Sequence, residues 1–257
     1  VEGYPLFIEK IYKKTGIDLA SYKERQMKRR IESLITRNGY TSFEEYFNAL
    51  CKDEDLFKEF INYLTINVSE FYRNPQQWEM LEREIIPSLI GQNKNIKIWS
   101  AACSTGEEPY SLVMLLTKFM PLQDINIIAT DIDMGALKKA QEGIYSPKSV
   151  ENLPKEFVRD YFDLVEGKYR IKDSIKKQVS FKKHNLLEDA YPTGCDLIIC
   201  RNVMIYFTEE TKGKIYHKFY DALNSWGLLF VGSTEQIILP QRYKLTPAKT
   251  FFYKKLT

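Results

Sequence analysis

A chain of 257 residues, 44% hydrophobic and 28% charged, can bury a sizeable core without disulfides or metals, as one large domain or as a small and a medium one. A net charge of +3 is too small to mark a nucleic-acid binder by itself. No apolar run reaches membrane-span length, no signal peptide is visible, and the start at Val1 instead of a methionine is what a trimmed N-terminus would show.

Cys51, Cys103, Cys195 and Cys200 form no C-x-x-C pair, and the only histidines are His184 and His217. These spacings argue against a zinc site and a disulfide framework, and favour a reducing compartment. A cysteine nucleophile, Cys103 or Cys200, would need a histidine partner that the pattern does not supply.

Residues 1–75 read as helical and poor in strands. Pro5 to Thr15 is amphipathic and closed by Gly16; Ser21 to Arg37 places Met27, Ile31, Leu34 and Ile35 at helical spacing and stops at Asn38-Gly39. Thr41 and Ser42 offer an N-cap for Phe43 to Cys51, and Asp55 to Thr65 is a fourth helix. The second helix holds Lys23, Arg25, Lys28, Arg29, Arg30 and Arg37 against Glu24 and Glu32. Lys23, Arg30 and Arg37 recur every seven residues, and Arg25 and Arg29 lie one turn apart, opposite Met27 and Leu34. Such a stripe is either a solvated face, the commoner case, or a docking surface for an acidic helix.

From residue 76 to 257 strands alternate with helices. Apolar strands are predicted at Ile96 to Trp99, Ile125 to Thr130, Val179 to Phe181, Asp196 to Cys200 and Leu228 to Gly232. Helices are predicted at Glu108 to Phe119, Met134 to Gln141 and Glu209 to Leu223, and Tyr243 to Thr246 with Thr250 to Lys254 reads as a hairpin. Continuous apolar strands joined by helices imply a doubly wound α/β parallel sheet, with the hairpin as an antiparallel edge. The alternation breaks over 146–182, where Glu166-Gly167 is a two-residue turn signal; this segment reads as an inserted β-subdomain.

Ligands of such sheets bind beyond the carboxyl ends of the strands. The first strand runs into Ser100-Ala101-Ala102-Cys103-Ser104-Thr105-Gly106-Glu107-Glu108-Pro109. Small residues such as Ala101 and Gly106 admit close backbone approach. Acidic residues at the helix start suit a cationic or hydroxyl-bearing ligand, and the G-x-G-x-x-G fingerprint of a dinucleotide site is absent. Asp131 at the end of the second strand is either a ligand to ribose hydroxyls or a helix cap, with Asp133 the better cap. Asn185 is a loop asparagine or an adenine contact. Arg201 and Asn202, directly after a buried strand, form a structural pair and turn or one wall of a site.

WSAACSTGEEPYS, ATDID and CDLIICRNVMIYF, with TINVSEFYRNPQQW before them, resemble in order and spacing the signature segments of the chemotaxis receptor methyltransferase family, CheR, over essentially the whole chain. The resemblance implies a Rossmann-like class I methyltransferase behind a small all-α domain, with S-adenosylmethionine as cofactor and S-adenosylhomocysteine as product. It implies methyl esters on glutamates of chemoreceptor cytoplasmic coiled coils. Its alternatives are a cofactor-sensing scaffold without turnover and a methyltransferase for a small molecule or nucleic acid. It places Asn67, Ser69 (where the family carries threonine), Arg73, Ala101, Gly106, Asp131, Asn185, Leu186, Arg201 and Asn202 at the cofactor, together with Glu108, Glu107 remaining open as its substitute. It gives Arg73, Arg201 and Tyr206 catalytic roles, and Lys23, Arg25, Lys28, Arg29, Arg30 and Arg37 the receptor. A cytoplasmic monomer recruited to membrane receptor arrays, without nucleic acid and without membrane insertion, is expected. In some members the β-subdomain captures a C-terminal receptor peptide by strand addition. The short Glu166-Gly167 turn departs from those members, so no dependence on that peptide is expected.

Overall fold

The computed structural model describes residues 3–65 and 68–256. The chain divides into two compact units: Val1–Asn67 with Met204–Lys214, and Val68–Val203 with Ile215–Thr257. No helix among the described residues is long and apolar enough to cross a membrane.

The first unit holds α1 (Tyr4–Thr15), α2 (Glu24–Arg37), α3 (Phe43–Leu50) and α4 (Glu54–Thr65). Phe7, Phe43, Tyr46 and Phe60 pack edge-on and tilted in its core, each almost wholly buried. Burial of each such ring stabilises by about 1.5–3 kcal/mol. Ser42 caps α3 by accepting from Glu45 N–H, while Glu45 reaches back to Thr41 N–H at 3.0 Å, so both orphan donors are met. The periodicity predicts α2 from Ser21, but the helix begins at Glu24. Tyr22 instead forms a β-bridge with Phe207, and Lys23 N–H donates to the Tyr206 carbonyl at 2.9 Å.

The second unit opens with a helical run the hydrophobic pattern did not disclose: α5 (Pro75–Met80), a π-turn at Leu81–Ile85, and α6 (Ile86–Gln92). Pro87 has no N–H to give the preceding turn, and the wide turn before it accommodates that loss. There follow β1 (Ile98–Ser100), α7 (Glu107–Leu116), β2 (Ile127–Asp131) and α8 (Met134–Glu142). A smaller region has β3 (Ile144–Tyr145), α9 (Lys155–Tyr161), β4 (Phe162–Val165), β5 (Lys168–Ile171) and α10 (Asp173–Lys176). The chain continues with β6 (Val179–Lys183), β7 (Cys195–Cys200), α11 (Glu209–Ala222), β8 (Leu223–Val231), β9 (Leu245–Lys249) and β10 (Phe252–Lys255).

Seven strands form one sheet in the order β6-β2-β1-β7-β8-β10-β9. The first five are parallel to one another, and β10 pairs antiparallel with both β8 and β9. The doubly wound sheet with an antiparallel edge is therefore present. β3, β5 and β4 make a separate three-stranded antiparallel sheet, whose β4–β5 turn is Glu166-Gly167, both at positive φ. The order reverses at β1: the chain steps outward through β2 and β6, then returns to the other side through β7. A crevice beyond the carboxyl ends of β1 and β7 is the expected ligand position. At the opposite end of β7, Asp196 is fully buried and accepts from Lys97 N, Asn224 Nδ2 and Trp226 Nε1 at 2.6–2.8 Å. That carboxylate is a structural staple.

Candidate functional site

The carboxyl ends of β1, β2 and β7 bring the second unit's candidate residues together. β1 ends at Ser100, whose hydroxyl donates to Glu108 Oε1 at 2.8 Å. The loop is pinned from both sides, with Ala101 N–H donating to the Ile199 carbonyl at 2.8 Å and Cys103 N–H to the Thr130 carbonyl at 2.9 Å. Gly106 has φ 93°, and a Cβ there would stand 2.9 Å from the Ala140 Cβ and 3.1 Å from Tyr145 Oη. Protein atoms fill that space, so this glycine is demanded by backbone conformation and packing. Tyr145 Oη donates to the Thr105 carbonyl at 2.8 Å, bracing the same loop.

The two glutamates at the start of α7 diverge. Glu107 is buried and accepts from the Thr105 hydroxyl at 2.6 Å; burial pushes its carboxyl up, with hydrogen bonds from Thr105 and Ser69 pulling back. Glu108 faces Arg201, with Oε2 at 3.6 Å from Nη1. Burial pushes Glu108 up, and the guanidinium opposes that shift. Ser69 is thus tied to Glu107, and Glu108 to the end of β7.

Asp131 ends β2. Its Oδ2 accepts from Ser104 N–H at 2.8 Å and its Oδ1 from Asp133 N–H at 3.0 Å. Asp133 caps α8 by accepting from Gly135 and Ala136 N–H. Asp131 is 8% exposed, and burial pushes its carboxyl up to about 6 against the pull of those backbone bonds. His184 N–H donates to the Asp131 carbonyl, which sets Asn185 and Leu186 beside it in the chain. Asn185 Oδ1 accepts from Leu187 N–H at 3.0 Å, and buried Leu186 accepts through its carbonyl from Tyr191 Oη.

Arg201 leaves β7 and turns inward. Its Nη2 donates to the Arg73 carbonyl at 2.8 Å, Asn74 Oδ1 at 3.1 Å and Gln77 Oε1 at 2.7 Å, and its guanidinium lies 4.8 Å from the Phe230 ring centre. Tyr72 and Asn74, flanking Arg73, are both in the left-handed region. Arg73 is half-buried and donates from Nη1 to the Val68 carbonyl at 3.1 Å. Asn202 also has positive φ, 61°. Its N–H is held by Glu235, a buried carboxylate that the sequence reading omits. The G-S-T-E run after β8 is the signal that would have marked it. Asn67 lies outside the described residues.

Tyr206 belongs to the first unit, in a 3₁₀ turn at Met204–Tyr206. Phe207 packs its ring 4.8 Å from that of Tyr22, and Thr208 N–H donates to the Ser21 carbonyl.

The basic residues of α2 do not act as one stripe. Lys23, Arg25, Arg29 and Arg30 line a cavity of about 510 Å³ with Gln26, Ser33 and Tyr63. Arg30 donates to the Tyr63 carbonyl and sits 4.5 Å from its ring centre. Arg37 pairs with Glu59 at 2.5 Å, and Lys28 lies over Tyr4 at 5.8 Å. Lys23, Arg25 and Arg29 are exposed. Lys23 and Arg25 stand at the start of α2, where a cation opposes the helix dipole and so does not serve helix stability.

All cysteines among the described residues are free, and burial raises the thiols of Cys103 and Cys200 well above their ordinary value. Neither is set up as a nucleophile.

Family models give the site its context. One described as "CheR methyltransferase, SAM binding domain" matches residues 67–252, and one described as "CheR methyltransferase, all-alpha domain" matches residues 2–65. A chemotaxis protein methyltransferase of Listeria innocua is 43% identical over 255 residues, covering 99% of this chain and 97% of that protein. Its counterpart in Listeria monocytogenes matches at the same identity and coverage. A chemotaxis protein methyltransferase of Borreliella burgdorferi is 36% identical over 259 residues, covering 92% of each.

Proposed function

The chain belongs to the CheR methyltransferase family, and from that premise we propose that it transfers methyl groups from S-adenosylmethionine to specific glutamate side chains on the cytoplasmic helices of chemoreceptors. The observation that carries this reading is the cluster of sheltered carboxylates, Glu107, Glu108 and Asp131, gathered at the carboxyl ends of β1, β2 and β7, in a chain that matches the family over both its parts.

The donor set fits the cofactor. Asp131 accepts backbone N–H groups from Ser104, Asp133 and Ile132 and keeps lone-pair capacity for a hydroxyl, as a ribose diol requires. Glu107, Glu108 and Asp131 all act on Cys103, and Glu108, Asp131 and Glu235 on Cys200, while Arg201 pairs with Glu108; this gathering of carboxylates is suited to a ligand with cationic centres and hostile to a pyrophosphate. Bound there, the cofactor supplies a methyl group already activated on a sulfonium. Asn185 and Leu186 are assigned to its adenine, Ser69, Ala101 and Gly106 to the loops around it, and Asn67 to its cover on the resemblance alone.

The acceptor needs no general base, because a glutamate carboxylate with a pKa of about 4.3 is ionised at neutral pH. The protein's work is to orient and to exclude water. Arg201, fixed by the Arg73 carbonyl, Asn74 and Gln77, supports the pocket wall and holds the Glu108 charge; Asn202 completes that wall. Arg73 presents its guanidinium for charge-assisted orientation of a carboxylate. Tyr206 takes its role, holding the acceptor, from the resemblance alone. The α2 cavity with Lys23, Arg25 and Arg29 docks the acidic receptor helix, and Lys28, Arg30 and Arg37 support it through their packing. The site of action is the cytoplasmic face of receptor arrays.

The test is to incubate the protein with methyl-labelled cofactor and receptor cytoplasmic fragments and to map the product by peptide mass analysis. Methyl esters on glutamate are expected. Label confined to small molecules or nucleic acid, or cofactor binding with no transfer, would overturn the reading.

A further inference from the structure

Glu235 is a buried carboxylate just beyond the carboxyl end of β8, 5% exposed. A single oxygen, Oε2, accepts two backbone N–H groups, Asn202 at 2.6 Å and Gly232 at 3.0 Å. Asn202 is held in the left-handed region, φ 61°, which a residue with a side chain adopts less readily than glycine unless its surroundings impose it. Glu235 supplies that constraint, joining the exits of two parallel neighbours, β7 and β8. Gly232 complements it: a Cβ there would stand 2.4 Å from Glu235 Oε2. The glycine leaves room for the carboxylate, and any side chain would displace it.

Hydrogen-bonding the Asn202 N–H fixes the peptide plane between Arg201 and Asn202. The consequence reaches Arg201, whose Nη2 has three acceptors to meet and whose Nη1 faces Glu108. A guanidinium fork tolerates little rotation at its root.

We propose that Glu235 is a positioning residue for the cofactor pocket: it locks the Arg201-Asn202 turn and so sets the wall that the cofactor meets. The proposal rests on the reading of this pocket as the S-adenosylmethionine site. It assigns Glu235 no contact with the reacting atoms. Gly232 has the matching task of keeping the carboxylate seated.

Binding of S-adenosylhomocysteine measured by calorimetry, with steady-state methylation of receptor fragments, tests it on the full chain. Failure of the wild-type protein to bind S-adenosylhomocysteine would sink the cofactor reading itself. Given wild-type binding, Glu235→Ala is expected to weaken it at least tenfold and to raise the KM for cofactor with the receptor KM unchanged. Glu235→Gln keeps an accepting oxygen and is expected to recover binding to within about threefold. Gly232→Ala, a small change outside the pocket, is expected to reproduce the Glu235→Ala split, and it supplies the test should Glu235→Ala not fold. Wild-type cofactor KM in Glu235→Ala or Gly232→Ala, a Gln variant as impaired as the Ala variant, or equal losses in both KM values would overturn the proposal.

Discussion

The charged groups of the two units live under opposite physical regimes. In the second unit Glu107, Glu108, Asp131, Arg201 and Glu235 are all sheltered from solvent, and each is held by named donors or acceptors. In the first, Lys23, Arg25 and Arg29 stand exposed around an open cavity. Buried charges interact strongly and cannot be removed singly without a large penalty. Exposed ones act weakly, at longer range, and are screened by salt. A pocket of the first kind suits a small ligand gripped in one geometry. A groove of the second kind suits a macromolecule that must arrive fast and leave.

The largest effect should come from the pocket. Arg201→Ala leaves the half-buried Glu108 without its cation and frees the Arg73 carbonyl, Asn74 and Gln77. A stability loss of about 3–5 kcal/mol is expected in denaturant titration, with cofactor binding abolished. A variant as stable as wild type would dissolve the contrast drawn between the two regimes.

Next is Asp131→Asn, expected to weaken cofactor binding by roughly 1.5–3 kcal/mol, about ten- to a hundredfold, through loss of a charged acceptor. The pH dependence carries two signs. Burial raises this carboxyl to about 6, above its unfolded value near 3.9. The folded protein therefore binds the proton more tightly, and this group's penalty on stability, present above about pH 6, is relieved as pH falls towards about 4. Cofactor affinity moves the other way, falling as pH drops through about 6 because the protonated group offers fewer acceptors. Calorimetry across that range checks both, and Asp131→Asn should flatten the affinity profile.

Smaller effects belong to the groove. Arg25→Glu combined with Arg29→Glu should raise the receptor KM by about tenfold at low salt and leave the cofactor KM unchanged, since charge complementarity governs encounter more than chemistry. Smallest of all is removal of the receptor's C-terminal peptide, expected to change the rate by less than about twofold, given the two-residue Glu166-Gly167 turn of the small sheet; a large loss of rate would restore strand-addition tethering.

Much of this arrangement was legible in the residues. Apolar runs such as Asp196 to Cys200 announce buried parallel strands, here β7. Four features were not. The run from Pro75 to Gln92 is interrupted by Pro87, which masks a helix that survives by widening one turn. Gly106 reads as a place for ligand approach; that its missing side chain also makes room for Ala140 and Tyr145 is a tertiary demand invisible to spacing. Glu235 sits far along the chain from Asn202, and only the pairing of β7 with β8 brings them together. Likewise, the stripe on α2 is continuous in sequence, but its members part company once Tyr63, Glu59 and Tyr4 engage some of them.

The division of labour between the two regions is tested most directly by measuring both KM values in receptor methylation as salt rises from about 50 mM to about 300 mM, where screening of exposed charges becomes severe. The receptor KM should climb several-fold, and the cofactor KM should stay level. A flat receptor KM, or two values rising together, would contradict the assignment of the exposed groove to the receptor and the buried pocket to the cofactor.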